Sequence, residues 1–168
     1  MKVDLSSVTI KKEFADLIKE SVQEVFSTFL SVDFSPGPLV MKREDDEYRP
    51  PETEVTVVIN FSGGIHGGIH LASPLHLALL LAGNFSGEMY DTLFGEAGDG
   101  FGELGNMIAG GVQTRLSKRF SAIQLTPPTL IAGKDYRMQY KSNFDSIKQY
   151  FKTGSGPFYV EFFFWAGG

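Results

Sequence analysis

Phe120-Ser-Ala-Ile-Gln-Leu-Thr-Pro-Pro-Thr-Leu-Ile131 repeats the pattern of Phe29-Leu-Ser-Val-Asp-Phe-Ser-Pro-Gly-Pro-Leu-Val40, though little of its identity. Sliding the chain by 91 residues lays Phe29, Val32, Phe34, Pro36, Leu39 and Val40 on Phe120, Ile123, Leu125, Pro127, Leu130 and Ile131. Upstream, Ile10, Leu17 and Val25 fall on Phe101, Ile108 and Leu116. Each half reads as a long helix, a strand ending in proline, and more strands. This predicts an α+β fold: a duplicated helix-plus-strands unit, with two long helices packed on a mostly antiparallel sheet. The 168 residues suit a single domain over 1–168 with a core of its own.

Working outward, Ile10 to Leu30 carries apolar residues at helical steps, with Lys and Glu on the other side. Strand pieces are expected at Val32–Phe34 and Leu39–Lys42, separated by Ser35-Pro-Gly-Pro38. Arg43 to Glu52, charged and holding Pro50-Pro51, reads as a loop. Glu54–Phe61 alternates Val55, Val57 and Ile59, and Gly63-Gly64 turns it back into Ile65–Ala72. Ser73-Pro74 reads as a cap and first turn, opening a short helix over Leu75–Ala82. Asn84 to Gly98 reads as a loop or broken helix, and Phe101–Phe120 as the second long helix. Ser121–Leu125 is an expected strand, Leu130–Ala132 a short apolar piece, and Tyr136–Tyr150 is ambiguous. Phe158–Trp165 is a strand apolar on both faces, hence central or at an interface.

Composition excludes several chemistries. With no Cys there are no disulfides, zinc ribbons, iron–sulfur sites or thiol nucleophiles. A net charge of -5 argues against a nucleic-acid surface. No apolar run is long enough for a membrane span, and the polar start lacks the apolar stretch of a signal peptide, so a cytoplasmic location is expected. His66 and His70, four apart in a strand, share a face; a solvent-facing role is expected, with no metal.

The chemistry points to Asp99-Gly-Phe-Gly-Glu103-Leu-Gly-Asn106-Met-Ile-Ala-Gly-Gly111. At helical spacing Phe101, Leu104, Ile108, Val112 and Leu116 cluster on one side, and Glu103, Asn106, Gly110 and Gln113 nearly opposite. Asp99 is a plausible cap. Seven of the 19 glycines lie between Gly95 and Gly111, where each interior one costs about 1 kcal/mol relative to Ala. Two reasons for keeping them are available. Gly105 and Gly111, nearer the apolar side, suit close packing against another helix. Gly102 and Gly110, bordering Glu103 and Asn106, suit a face kept flat for a partner's backbone. Gly100-Phe-Gly-Glu-Leu-Gly105 also spells a dinucleotide-binding pattern, but no buried strand precedes it, and Asp99 and Glu103 would repel a pyrophosphate.

At these residues the chain resembles the CheC/CheX/FliY family of chemotaxis phosphatases. The family's mark is an acid or Ser, Glu four residues on, Asn three further, and a Pro after the helix and strand. Here these are Asp99, Glu103, Asn106 and Pro127, or its neighbour Pro128, between which spacing does not choose. The run Gly102–Gly111 and the hairpin Gly64-Ile-His-Gly-Gly68 resemble the single-site CheX branch. The resemblance implies hydrolysis of the aspartyl phosphate on a CheY-type response regulator. In it the Glu pairs with the regulator's Lys and the Asn orients the attacking water. It implies no cofactor of the chain's own, Mg²⁺ held by the regulator, and a homodimer. An apolar outer face at Tyr159, Phe163 and Trp165 suggests the dimer contact. Under the 91-residue shift Glu103 falls on Lys12 and Asn106 on Ala15, so one site per chain is expected; Glu20 and Gln23 have the spacing but not the register. The rival readings are a non-catalytic module that binds a regulator or flagellar-switch component, and a small-ligand sensor.

Overall fold

A computed structural model describes residues 3–42, 53–133 and 143–166. Helix α1 (Val8–Phe29) starts where Ser7 accepts a hydrogen bond from the Ile10 amide at 3.1 Å. Its stripe of Ile10, Phe14, Ile18, Val22 and Phe26 is buried. Strands β1 (Phe34–Lys42), β2 (Val55–Ser62) and β3 (Ile65–Ser73) follow, then helices α2 (Leu75–Ser86) and α3 (Glu96–Leu116). Four more strands complete the described chain: β4 (Gln124–Leu125), β5 (Thr129–Ala132), β6 (Asp145–Thr153) and β7 (Gly156–Ala166).

Every pairing among these strands is antiparallel, in the order β1-β6-β7-β3-β2-β4, with β5 also on β2. That order is a palindrome. Hairpins β2–β3 and β6–β7 meet at the centre through β3 and β7, and β1 and β4/β5 close the two edges. The duplication inferred from sequence is therefore visible as a pseudo-two-fold axis between β3 and β7. Strand β7 is central, as its apolar character implies.

The helices cover one face. Phe14 on α1 meets Phe162 and Phe164 edge-on at 4.9 and 5.0 Å, and Phe26 stacks on Phe158. Helix α3 lies against β2, where a Cβ built on Gly105 would come 2.7 Å from Val57 Cγ1. The buried Ser21 hydroxyl on α1 donates to the Ile108 carbonyl on α3 at 2.7 Å. A Cβ on Gly111 would reach 2.2 Å from that same oxygen. Gly111 thus packs against another helix, as read, whereas Gly105 packs against a strand instead.

Several expectations are corrected. Strand β1 is continuous rather than two pieces. Its prolines sit at a sheet edge, where a missing N–H costs no ladder bond, and a bulge between Pro36 and Leu39 absorbs them. Val32 lies outside it. Ser73 does not cap α2: it ends β3, and its hydroxyl donates to the Pro74 carbonyl, while the Leu75 amide is met by Glu54 Oε1 at 3.3 Å. Helix α2 runs on to Ser86, stopped by Gly87 at φ 74°. Helix α3 begins at Glu96, behind Gly95, so Asp99 is not its cap but stands in its first turn, where an acid suits the helix dipole. His70 is not solvent-facing: it is fully buried opposite Glu161, Nδ1 to Oε1 3.0 Å. Partly buried His66 stacks on Trp165. Tyr159 and Phe163, read as a bare dimer face, are 3 % and 1 % exposed in the single chain, so that argument for a dimer contact falls. The expected loop at Arg43–Glu52 falls wholly outside the described residues, as does the first part of Tyr136–Tyr150; Asp145–Tyr150 belongs to β6.

Candidate functional site

Helix α3 sorts its residues by face. Phe101, Leu104, Ile108, Val112 and Leu116 are buried against the sheet and α1. At about 100° per residue, Glu96, Asp99, Glu103, Asn106 and Gly110 fall within one stripe on the other side. Glu96, Asp99 and Glu103 are exposed, and Asn106 and Gly110 are half-buried. Among the described residues neither Glu103 nor Asn106 makes a hydrogen bond or ion pair. The Asn106 amide, with two donors and an acceptor, is thus left to meet something from outside.

The strand after α3 frames this stripe. Strand β4 pairs Leu125 with Phe61, the Thr126 amide donates to the Asn60 carbonyl at 2.9 Å, and β5 resumes with Thr129 opposite Val58. Pro127 and Pro128 together therefore stand opposite Ile59 alone. Two residues against one make a bulge, and two prolines that cannot donate to the ladder suit it. The arch brings Pro128 Cβ and Cγ to 4.0 Å from where a Gly102 Cβ would sit. It is Pro128, not Pro127, that touches the helix beside Glu103. Gly102 is buried here, and a Cβ on it would meet Pro128 only at ordinary contact distance, so the proline alone does not require a glycine. Gly110 has nothing within 4 Å of its would-be Cβ and remains open. Gln113 is spoken for: its Nε2 donates to the Ile123 carbonyl at 2.7 Å and ties the helix to the strand that carries the arch.

The other half of the pseudo-dyad is built differently. Strand β1 carries a matching bulge, with Gly37 and Pro38 opposite Tyr150. On α1, however, the places of Glu103 and Asn106 hold exposed Lys12 and buried Ala15. Glu20 is engaged elsewhere: it and Glu24 hold Arg115 of α3 at 3.1 and 3.0 Å. The hydrogen bond that Arg115 donates to Glu24 does most to raise the guanidinium pKa; burial opposes the rise, and the bond donated to Glu20 adds to it. These carboxylates bind α1 to α3 at the rim. Sequence reasoning missed two neighbours of the stripe, Met89 and Phe94, which are 98 % and 81 % exposed in the α2–α3 connection. The glycine- and acid-rich stretch Asn84–Gly98 also holds Phe85, Tyr90 and Leu93, so its pattern alone does not single out Met89 and Phe94.

No helix among the described residues is long and apolar enough to cross a membrane. The model of the family described as chemotaxis phosphatase CheX matches residues 55–152. A relative from Thermotoga maritima, described as CheY-P phosphatase CheX, is 34 % identical over 90 residues, 53 % of this chain and 57 % of that protein. The chain thus matches little more than half the length of that relative. Among solved structures, the chemotaxis protein CheX from Vibrio vulnificus aligns with a TM-score of 0.76 at 25 % identity, over 91 % of this chain and 99 % of that one. The CheX of a CheX–CheY–BeF₃–Mg²⁺ complex from Borrelia burgdorferi aligns with a TM-score of 0.72 at 22 % identity, over 90 % and 97 %, and shows the shared fold. With more than half of its length matched by that family model, this chain belongs to the chemotaxis phosphatase CheX family.

Proposed function

We propose that the chain hydrolyses the aspartyl phosphate of a CheY-type response regulator, using α3 as the working element. Glu103 pairs with a lysine at the regulator's phosphorylation site. Asn106 enters that site and holds a water in line with phosphorus. The water oxygen bonds to phosphorus as the bond to the aspartyl oxygen breaks; inorganic phosphate and the free carboxylate leave, with one proton released to solvent. An acyl phosphate is already reactive, so orientation is the main contribution required of the enzyme. A neutral amide suits it because it accepts from and donates to the water, whereas a second carboxylate near the phosphoryl oxygens would repel them. Mg²⁺ is supplied by the regulator.

The carrying observation is the half-buried, unengaged amide of Asn106 beside exposed Glu103 and open Gly110. The description of the Thermotoga relative as a CheY-P phosphatase and the CheX–CheY complex from Borrelia support the choice of substrate. Asn106→Ala is expected to lower the rate of phosphate loss from the regulator about 10²-fold, the scale of losing one positioning contact. Unchanged phosphate loss would overturn this mechanism. A homodimer in the cytoplasm is proposed on the family resemblance, and sedimentation equilibrium measures the dimer directly.

A further inference from the structure

The connection from α2 to α3 is anchored yet presents two large apolar side chains to water. Gly87 turns the chain at φ 74°, and the amides of Gly87 and Glu88 both donate to the Gly83 carbonyl, at 2.8 and 3.1 Å. Leu93 is 4 % exposed and pins the segment to the core, whereas Met89 and Phe94 point away from it. Single exposed apolar residues are ordinary on a protein surface. Two in one short connection, leading directly into the helix that carries Glu103 and Asn106, are less so. Aromatic residues and Met are the types enriched at the centres of interfaces.

We propose that Met89 and Phe94 form an apolar docking knob for the response regulator engaged by Glu103 and Asn106; this rests on the phosphatase reading above. Charge selects this occupant. The stripe next to the knob carries exposed Glu96, Asp99 and Glu103. A second copy docking here about a two-fold axis would set these acids against their own counterparts, since such contacts pair a patch with itself. The stripe calls for a partner with an apolar recess beside cationic groups, which an acidic chain attracts and orients. Glu103 then reads the partner's lysine while the knob supplies affinity at the other end of the contact.

The test compares wild type with Phe94→Ser and, separately, Met89→Ser. Both residues lie outside the core, so thermal unfolding is expected to stay where it is. Binding is read by titration against the beryllofluoride-loaded regulator of the same cell, and turnover by phosphate loss from the phosphorylated regulator. Each variant is expected to raise Kd and KM about tenfold, the effect of a truncated interface anchor, with the loss falling in KM rather than kcat. If wild type hydrolyses and both variants match it in Kd and KM, the knob is overturned and the phosphatase reading stands. If wild type binds without hydrolysing and the variants bind more weakly, the phosphatase reading is overturned and the knob stands. A wild type that binds no regulator overturns both. A wild-type dimer that Phe94→Ser converts to monomers shows self-contact and overturns the knob.

Discussion

At the scale of single residues, the side chains of Asn106 and Glu103 make no hydrogen bond or ion pair among the described residues, whereas others at the same helix rim do. Gln113, on the same side of α3, is bound to Ile123, and Glu20 on α1 is bound to Arg115. The three-residue spacing of Glu20 and Gln23 imitates the site without forming one. A Glu20→Ala/Gln23→Ala double variant is therefore expected to keep phosphate loss at the wild-type rate. Its stability should fall by no more than about 1 kcal/mol, because the carboxylates facing Arg115 are largely solvated. A phosphate-release assay beside thermal unfolding checks both. Loss of turnover with the fold intact would move a site to α1. The residue pattern picked out Glu103 and Asn106, but it could not choose between Pro127 and Pro128. That choice depends on which ring of a two-against-one bulge points at the helix, a matter of pleat and twist.

At the scale of elements, α3 answers why a helix holds so many glycines. Gly105 and Gly111 allow β2 and α1 to approach closely, Gly102 lies beside Pro128 with room for a Cβ, and Gly110 faces open space. The alanine substitutions should therefore divide. Gly105→Ala is expected to destabilise by about 1–3 kcal/mol, since Val57 is a branched, fully buried side chain on a central part of the sheet and has no room to yield. Gly110→Ala should stabilise by up to about 1 kcal/mol from helix propensity alone. It should also slow phosphate loss if a partner approaches there. Denaturant unfolding and phosphate release on the two variants separate packing from docking. The start of α3 was misread because its first turns carry Ala97, Gly98, Gly100 and Gly102. These bury against neighbours without registering as hydrophobic periodicity. Helix α2 was read short for the same reason: Gly83 lies within it, and only Gly87, with positive φ, ends it.

At the scale of the molecule, the two halves meet across β3 and β7 and share one core. A buried ion pair ties α1 to β6 and so bridges the halves: Lys11 Nζ lies 2.7 Å from Asp145 Oδ1 and also donates to the Lys42 carbonyl. Lys11→Met is expected to cost about 3–5 kcal/mol, because it leaves Asp145 charged and unpaired at 8 % side-chain exposure. The double variant Lys11→Met/Asp145→Asn should recover much of that loss, and chemical denaturation of both checks it. The site lies on α3, away from this pair, so regulator binding by the double variant should survive.

The sequence by itself determined the duplicated α+β plan, the central β7, and the pair Glu103 and Asn106 on one helix face. The helix face rests on a local step of three to four residues, the plan on a pattern repeated at 91 residues, and β7, read as central or at an interface, on apolar residues on both of its faces. Only the tertiary structure decided that His70 is buried, that Tyr159 and Phe163 are no bare contact face, and that Pro128 stands beside Gly102. It also decided that Met89 and Phe94 are left to solvent. Alternation assigns residues to faces, but whether a face is covered depends on segments distant in the chain, and no local pattern records where those segments come to lie.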